Sequence, residues 1–197
     1  MDFDSITVPV VKGISCAQIE NEAADFLQLF APECLHAPQP TPILEIFENK
    51  MNLLGFDVLI GKNVKGLGGF TDITNRYIEL PNSTYKKLEK GDPQARFTVA
   101  HEFGHVKLHS AFQGKGQNHP VTFARRSRIR AFEDPEWQAN SFSAAILMPI
   151  QTMRMLHAQD KMTPAYVMAT YQVSWPAASR RILRLRELRW RKNNEAE

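Results

Sequence analysis

The sequence predicts an α+β protein that is mainly helical, with a small three-stranded sheet and a helical C-terminal region. Three observations support this: helical apolar patterns opened by Asp-Pro or Thr-Pro pairs, a cluster of short β-rich runs between residues 56 and 81, and an arginine-rich helical pattern after residue 163. A length of 197 residues suits one main domain with a small appendage. The expected division is a main domain over 1–157 and a C-terminal helical region over 158–197.

The elements follow in order. Residues 15–31 read as an amphipathic helix with Ile19, Ala23, Phe26, Leu27 and Phe30 on one side. "APECLHAPQPTP" is a proline-rich connector ending at a Thr41-Pro42 helix start, and that helix is expected to reach Leu54, with Gly55 closing it. "FDVLIG" reads as a strand and "KNVKGLGG" as a hairpin turn. The glycines there do not make a phosphate loop, because the G-K-[ST] ending is missing and no helix follows. "FTDI" and "NRYIEL" complete the sheet, with Pro81 ending the last strand as expected of an edge position. Residues 110–132 form a long connection; Arg125, Arg126, Arg128 and Arg130 there suit either an acidic partner or plain solvation.

In the C-terminal region Thr163-Pro164 opens a helix, and the run A-x-Y-x-V-S over 169–174 resembles a helix-turn-helix with Ser174 capping its second helix. Arg180, Arg181, Arg184, Arg186, Arg189, Arg191 and Lys192 make that helix basic. Weak phosphate contact with nucleic acid is one reading. The other is a solvent-facing basic side, with Ile182, Leu183, Leu185 and Leu188 packed inward.

Composition narrows the function classes. At 43% hydrophobic and 23% charged residues, the chain reads as soluble and globular. No apolar run approaches a membrane span, and "MDFDSITVPVVKG" lacks the pattern of a secretory signal. Cys16 and Cys34 imply no disulfide framework. The expectation is a cytoplasmic protein with no membrane partner. A net charge of +3 is too small to demand nucleic acid.

The chemistry concentrates in "RFTVAHEFGHVKLH", residues 96–109. Asp92-Pro93 supplies a cap and first-turn proline, so the segment is a helix. Helical residues four apart differ by about 40° in direction and about 6 Å in rise. His101 and His105 can therefore turn their imidazoles to one ion, with Glu102 beside them as a general base. This is the H-E-x-x-H pattern of zinc hydrolases; its alternative is a buried helix with satisfied histidines. Zinc needs a third protein ligand. "EDPEWQANSFSAAILMP", residues 133–149, opens a second helix at Asp134-Pro135 and sets Glu136 in its first turn. Asn140 follows one turn later, able to orient a liganding histidine. Ala139, Ser141, Ser143 and Ala144 are small enough for close packing on the first helix. Glu136 otherwise reads as a solvated first-turn acid.

These two blocks together, "FTVAHEFGHVKLH" and "EWQANSFSAAILMP", resemble the ImmA/IrrE-type zinc metallopeptidases of bacteria and their mobile elements. Ser143 and Ile146 stand where alanine and leucine are usual in that family. The resemblance implies a gluzincin-like site with His101, His105 and Glu136 on Zn2+ and Glu102 as catalytic base. It also implies a protein substrate, a helix-turn-helix repressor encoded nearby. In related metallopeptidases an edge strand beside the zinc helix holds the extended substrate, and "RYIEL" is the candidate strand. Metzincins place their third histidine six residues beyond the second. His109 lies only four beyond His105, about 12 Å along the axis from His101, and reads as a structural residue rather than a ligand. His119, Tyr77, His157 and Tyr171 are candidates for stabilising an oxyanion. The competing functional class is a DNA-binding or toxin–antitoxin-type regulator with a structural or vestigial metal site.

Overall fold

Three phenylalanines join the first helix to the two that carry the H-E-x-x-H and Glu136 blocks. The Phe26 ring lies 5.6 Å from that of Phe103 and 5.5 Å, edge-on, from that of Phe142. The computed structural model describes the backbone of residues 7–61, 68–110, 122–125 and 130–194, and the side chains of 11–61, 68–110 and 130–187.

Helix α1 (Cys16–Phe30) starts at a reciprocal cap between Ser15 and Gln18 and buries the five apolar residues its pattern marks. After a short turn of helix, α2 (Glu33–His36), comes α3 (Ile43–Asn49). The helix expected to reach Leu54 gives way at Lys50 (φ −123°), whose ammonium binds the Phe30 carbonyl, and Met51–Leu54 is a 3-10 turn. Gly55 closes it in the left-handed region, at φ 72°.

Strands β2 (Asp57–Gly61), β3 (Phe70–Asp72) and β4 (Tyr77–Pro81) form the small mixed sheet in the order β2-β4-β3. β4 runs parallel to β2 and antiparallel to β3. Two expectations are corrected here. "RYIEL" is the central strand, with both of its edges already paired, so it cannot receive another chain. "KNVKGLGG" does not turn a hairpin, because β2 and β3 lie on opposite sides of β4; residues 62–67 themselves lie outside the described residues. The hairpin is the β3–β4 turn, where the Asp72 carboxylate accepts from Asn75 N at 2.8 Å. There Arg76 is held at φ 57° by bonds to the Leu54 and Gly55 carbonyls.

A helix absent from the sequence reading, α4 (Asn82–Glu89), leads into α5 (Pro93–His109). A second pair of strands joins β1 (Thr7–Val10) to β5 (Thr122–Arg125), antiparallel, inside what reads in the sequence as an unbroken connection. Within that connection, His119, Arg126, Arg128 and the Arg125 side chain lie outside the described residues.

Helices α6 (Pro135–Leu147), α7 (Ile150–Ala158), α8 (Pro164–Tyr171) and α9 (Trp175–Asn194) complete the chain. Val167, Tyr171, Ala178 and Ile182 of the last two join the same apolar core as α1, α5 and α6. Two buried arginines reinforce this. Arg96 on α5 donates to the carbonyls of Thr41 and Gln172, and Arg181 on α9 donates to Met148 O and to both oxygens of Glu20. Leu183, expected inside, is 58% exposed, while Leu185 packs against the core. The side chains of Leu188, Arg189, Arg191 and Lys192 lie outside the described residues. Among the described residues no helix is long and apolar enough to cross a membrane.

Candidate metal centre

Both helices of the site begin as their sequences dictate. Asp92 accepts from Gln94 N and Ala95 N ahead of Pro93, and Asp134 accepts from Glu136 N ahead of the second helix. Helix α5 is buried along most of its circumference and leaves His101 and His105 on the side facing α6. The two helices meet at Gly104: a Cβ there would stand 2.9 Å from the Ala139 Cα, so only glycine allows this approach. The closeness brings the first turn of α6, and Glu136 with it, up to the histidines.

His101 Nε2 lies 2.9 Å from His105 Nε2. Glu136 Oε2 is 3.2 Å from the first nitrogen, and Oε1 is 3.4 Å from the second. Ligand atoms bonded at about 2.0–2.1 Å to a tetrahedral ion stand about 3.3 Å from one another. Three of the expected residues are thus assembled into a group able to hold one metal ion.

The hydrogen bonds behind the rings make the fit chemical as well as metric. Gln138 is anchored by its amide nitrogen, which donates to Lys12 O at 3.0 Å and Phe132 O at 2.8 Å. Only the NH₂ group can serve two carbonyls, so Gln138 Oε1 faces His109 Nε2, 3.0 Å away, as an acceptor. His109 therefore carries its proton on Nε2 and presents a bare Nδ1 to His105 Nδ1 at 3.1 Å. His105 must donate from Nδ1, which leaves its Nε2 as a lone pair. His101 reaches the same state by donating from Nδ1 to Asn140 Oδ1 at 3.1 Å. Two lone pairs and a carboxylate converge with no donor among them, an arrangement that calls for a cation.

Without a metal, the same charges favour a proton on His101. Burial opposes charge on His101, but the Glu136 hydrogen bond and the Glu136 and Glu102 charges outweigh it and raise its pKa. The hydrogen bond to His101, with His105 beside it, holds Glu136 far below the ordinary carboxylate range. Burial, with the neighbouring His105, pulls His109 down to about 4, so it remains neutral at ordinary pH.

Glu102 is 6% exposed and accepts a 2.6 Å hydrogen bond at Oε2 from the Thr71 hydroxyl of β3. On its other side a Cβ at Gly69 would come within 3.0 Å of Oε1. The absence of a side chain at 69 leaves that oxygen open. A cleft lined by Gly68, Gly69, Phe70 and Thr71 on one side and by α5 and α6 on the other runs over the whole group.

Of the oxyanion candidates, Tyr171 is fully buried and bonded to Thr152, and neither Tyr77 nor His157 lines the cleft. His119 lies outside the described residues. Thr71 and Gln138 were missed in the sequence. Gln138 left a faint signal, a polar residue between Glu136 and Asn140 at a position its helix buries; Thr71 left none, since its role depends on the sheet meeting α5.

No curated protein sequence matches the chain. Residues 87–183 match the family model of the IrrE N-terminal-like domain of peptidases. That segment carries both histidines, Glu102, His109, Glu136, Gln138 and Asn140 in the geometry described, and it is this segment that belongs to the M78 peptidase family, of the ImmA/IrrE type.

Proposed function

We propose that the protein is a zinc-dependent, gluzincin-like endopeptidase acting in the cytoplasm on a specific protein partner, a helix-turn-helix repressor. The observation that carries this reading is the convergence of His101, His105 and Glu136 beside the buried carboxylate of Glu102, which shares α5 with the two histidines. His101, His105 and Glu136 would hold the ion, which fits the ligand set of a catalytic zinc site with a fourth position open. When bound there, zinc supplies Lewis-acid polarisation of a peptide carbonyl and acidifies a water.

The chain's own residues do the rest. Glu102 Oε1, left open by Gly69, accepts the proton of the attacking water, while Thr71 holds the other oxygen still. The same carboxylic acid then delivers that proton to the departing amine. Asn140 and the Gln138–His109 pair keep the imidazoles in the binding tautomer throughout. The substrate backbone adds to β3, whose outer edge is unpaired among the described strands and whose residues Phe70 and Thr71 line the cleft.

A cleft that takes an extended strand favours a linker or a locally opened segment over a folded helix. Incubating the zinc-loaded protein with the repressor encoded beside it, and mapping fragments by mass spectrometry, tests the substrate. Cuts confined to a flexible stretch of the repressor are expected. Equal digestion of casein and repressor would remove the claim of specificity.

A further inference from the structure

A second cavity, of about 640 Å³, adjoins the metal cleft; Gln94, Phe97 and Asn140 line both. It opens to solvent and is walled by α1, the first turns of α5, α6 and the first half of α9. Ile19, Phe97, Trp137 and Ala144 give it an apolar wall. Its charged lining is one-sided. Glu20 is the one carboxylate on it among the described residues, and both its oxygens are taken by the buried Arg181. Arg180 and Arg184 remain. Arg180 has no hydrogen-bond partner among the described residues, and Arg184 reaches Cys16 Sγ at 2.7 Å and the exposed Glu187 at 3.3 Å. The hollow is therefore amphipathic and net positive, within the size range of ligand pockets.

We propose that this cavity is a substrate-specificity subsite that takes an acidic stretch of the peptide. Arg180 and Arg184 receive the carboxylates of its glutamate or aspartate side chains, and Phe97 and Trp137 cover their stems. Guanidinium forks match carboxylates in shape as well as charge. A peptide laid along β3 and over the histidines continues past Phe97 and Asn140 directly into it. The inference rests on the peptidase reading, and it gives two of the α9 arginines a role apart from phosphate contact.

The test uses the full chain carrying Glu102→Gln, so that nothing is cut, and follows the anisotropy of fluorescein-labelled hexaglutamate with hexaglutamine as the neutral probe. Saturable binding of hexaglutamate alone is expected. It should weaken at least about tenfold in the Arg180→Ala/Arg184→Ala variant and change by less than about twofold in Arg186→Ala, which removes a charge from the same helix outside the cavity. Ala177→Phe, or Ala144→Leu on the facing helix should the first not fold, fills the cavity without altering charge and should also block binding.

No saturable binding, equal binding of hexaglutamine, equal loss in Arg186→Ala, or survival of binding in the filled variants would each overturn the assignment. So would full displacement by random duplex DNA at an equal phosphate-to-carboxylate ratio. Cleavage is scored separately with Glu102 intact, on peptide mixtures with and without acidic residues. Cleavage without acidic preference removes the subsite alone; hexaglutamate binding with no Glu102-dependent cleavage of any peptide removes the peptidase reading and leaves an acidic-peptide site.

Discussion

His109 and Gln138 face each other at 3.0 Å behind the candidate metal ligands, and the two carbonyls that hold the glutamine amide decide which nitrogen of His105 is bare. Gln138→Leu should leave the apolar core intact but free His109, and through it His105, to adopt either tautomer. Loss of such a supporting bond is expected to weaken zinc affinity about 10–100-fold. Competition with a chromophoric chelator measures this, and unchanged affinity in both Gln138→Leu and His109→Phe would show that the tautomer is set elsewhere.

Gly104 makes a different claim, about distance. Its replacement by alanine puts a methyl against the Ala139 backbone and must push α6 outward, taking Glu136 from the histidines. Overpacking of this kind costs about 1–3 kcal/mol. Chemical denaturation should show that loss together with a drop in metal affinity; a loss of stability with full affinity would separate packing from site geometry.

Much of this was legible in the sequence because it is local. His101 and His105 share a face by helical period alone, with Glu102 on its flank, and the Asp-Pro caps place the starts of α5 and α6 correctly. Glu136 and Asn140 fall one turn apart for the same reason. What the sequence could not supply is which strand meets α5. Pro81 suggested an edge strand, yet β4 is central, because its register places that proline opposite Gly61 at the end of the ladder. The α9 arginines looked alike in sequence; burial against Met148 and Glu20 singles out Arg181 as an internal tie.

Thr71→Val tests the contribution of β3 to catalysis. It keeps the shape of the side chain and removes one hydrogen bond to Glu102, worth about 1 kcal/mol. Zinc content should be unchanged, and turnover should fall by about five- to tenfold with little effect on KM. A rise in KM with intact turnover would instead make Thr71 a substrate contact.

His109 gives a pH signature in the chelated protein. Its folded pKa of about 4 lies below the ordinary value of 6.5. Between these values the unfolded chain binds more protons, so this group's contribution to stability falls as pH drops from about 6.5 to about 4. The displacement is worth about 3 kcal/mol. Urea titrations of wild type and His109→Gln should diverge over that window, the wild type losing more; parallel curves would contradict the assignment of a buried neutral imidazole.

Chelation itself should lower the melting temperature of the wild type, since an ion bound only by the folded chain adds to its stability. His105→Ala should remove both the metal and that dependence. A melting temperature insensitive to chelator in wild type would argue against a site formed by folding.

The role of Glu102 is the centre of the mechanism, and one comparison tests it: turnover of a cleavable peptide by zinc-loaded wild type and zinc-loaded Glu102→Gln at equal metal content. The amide keeps the packing and can still accept from Thr71, but it cannot take a proton. Turnover should fall by about two to four orders of magnitude with one zinc per chain retained. Near-wild-type cleavage by the zinc-loaded variant would contradict the assignment of Glu102 as the base.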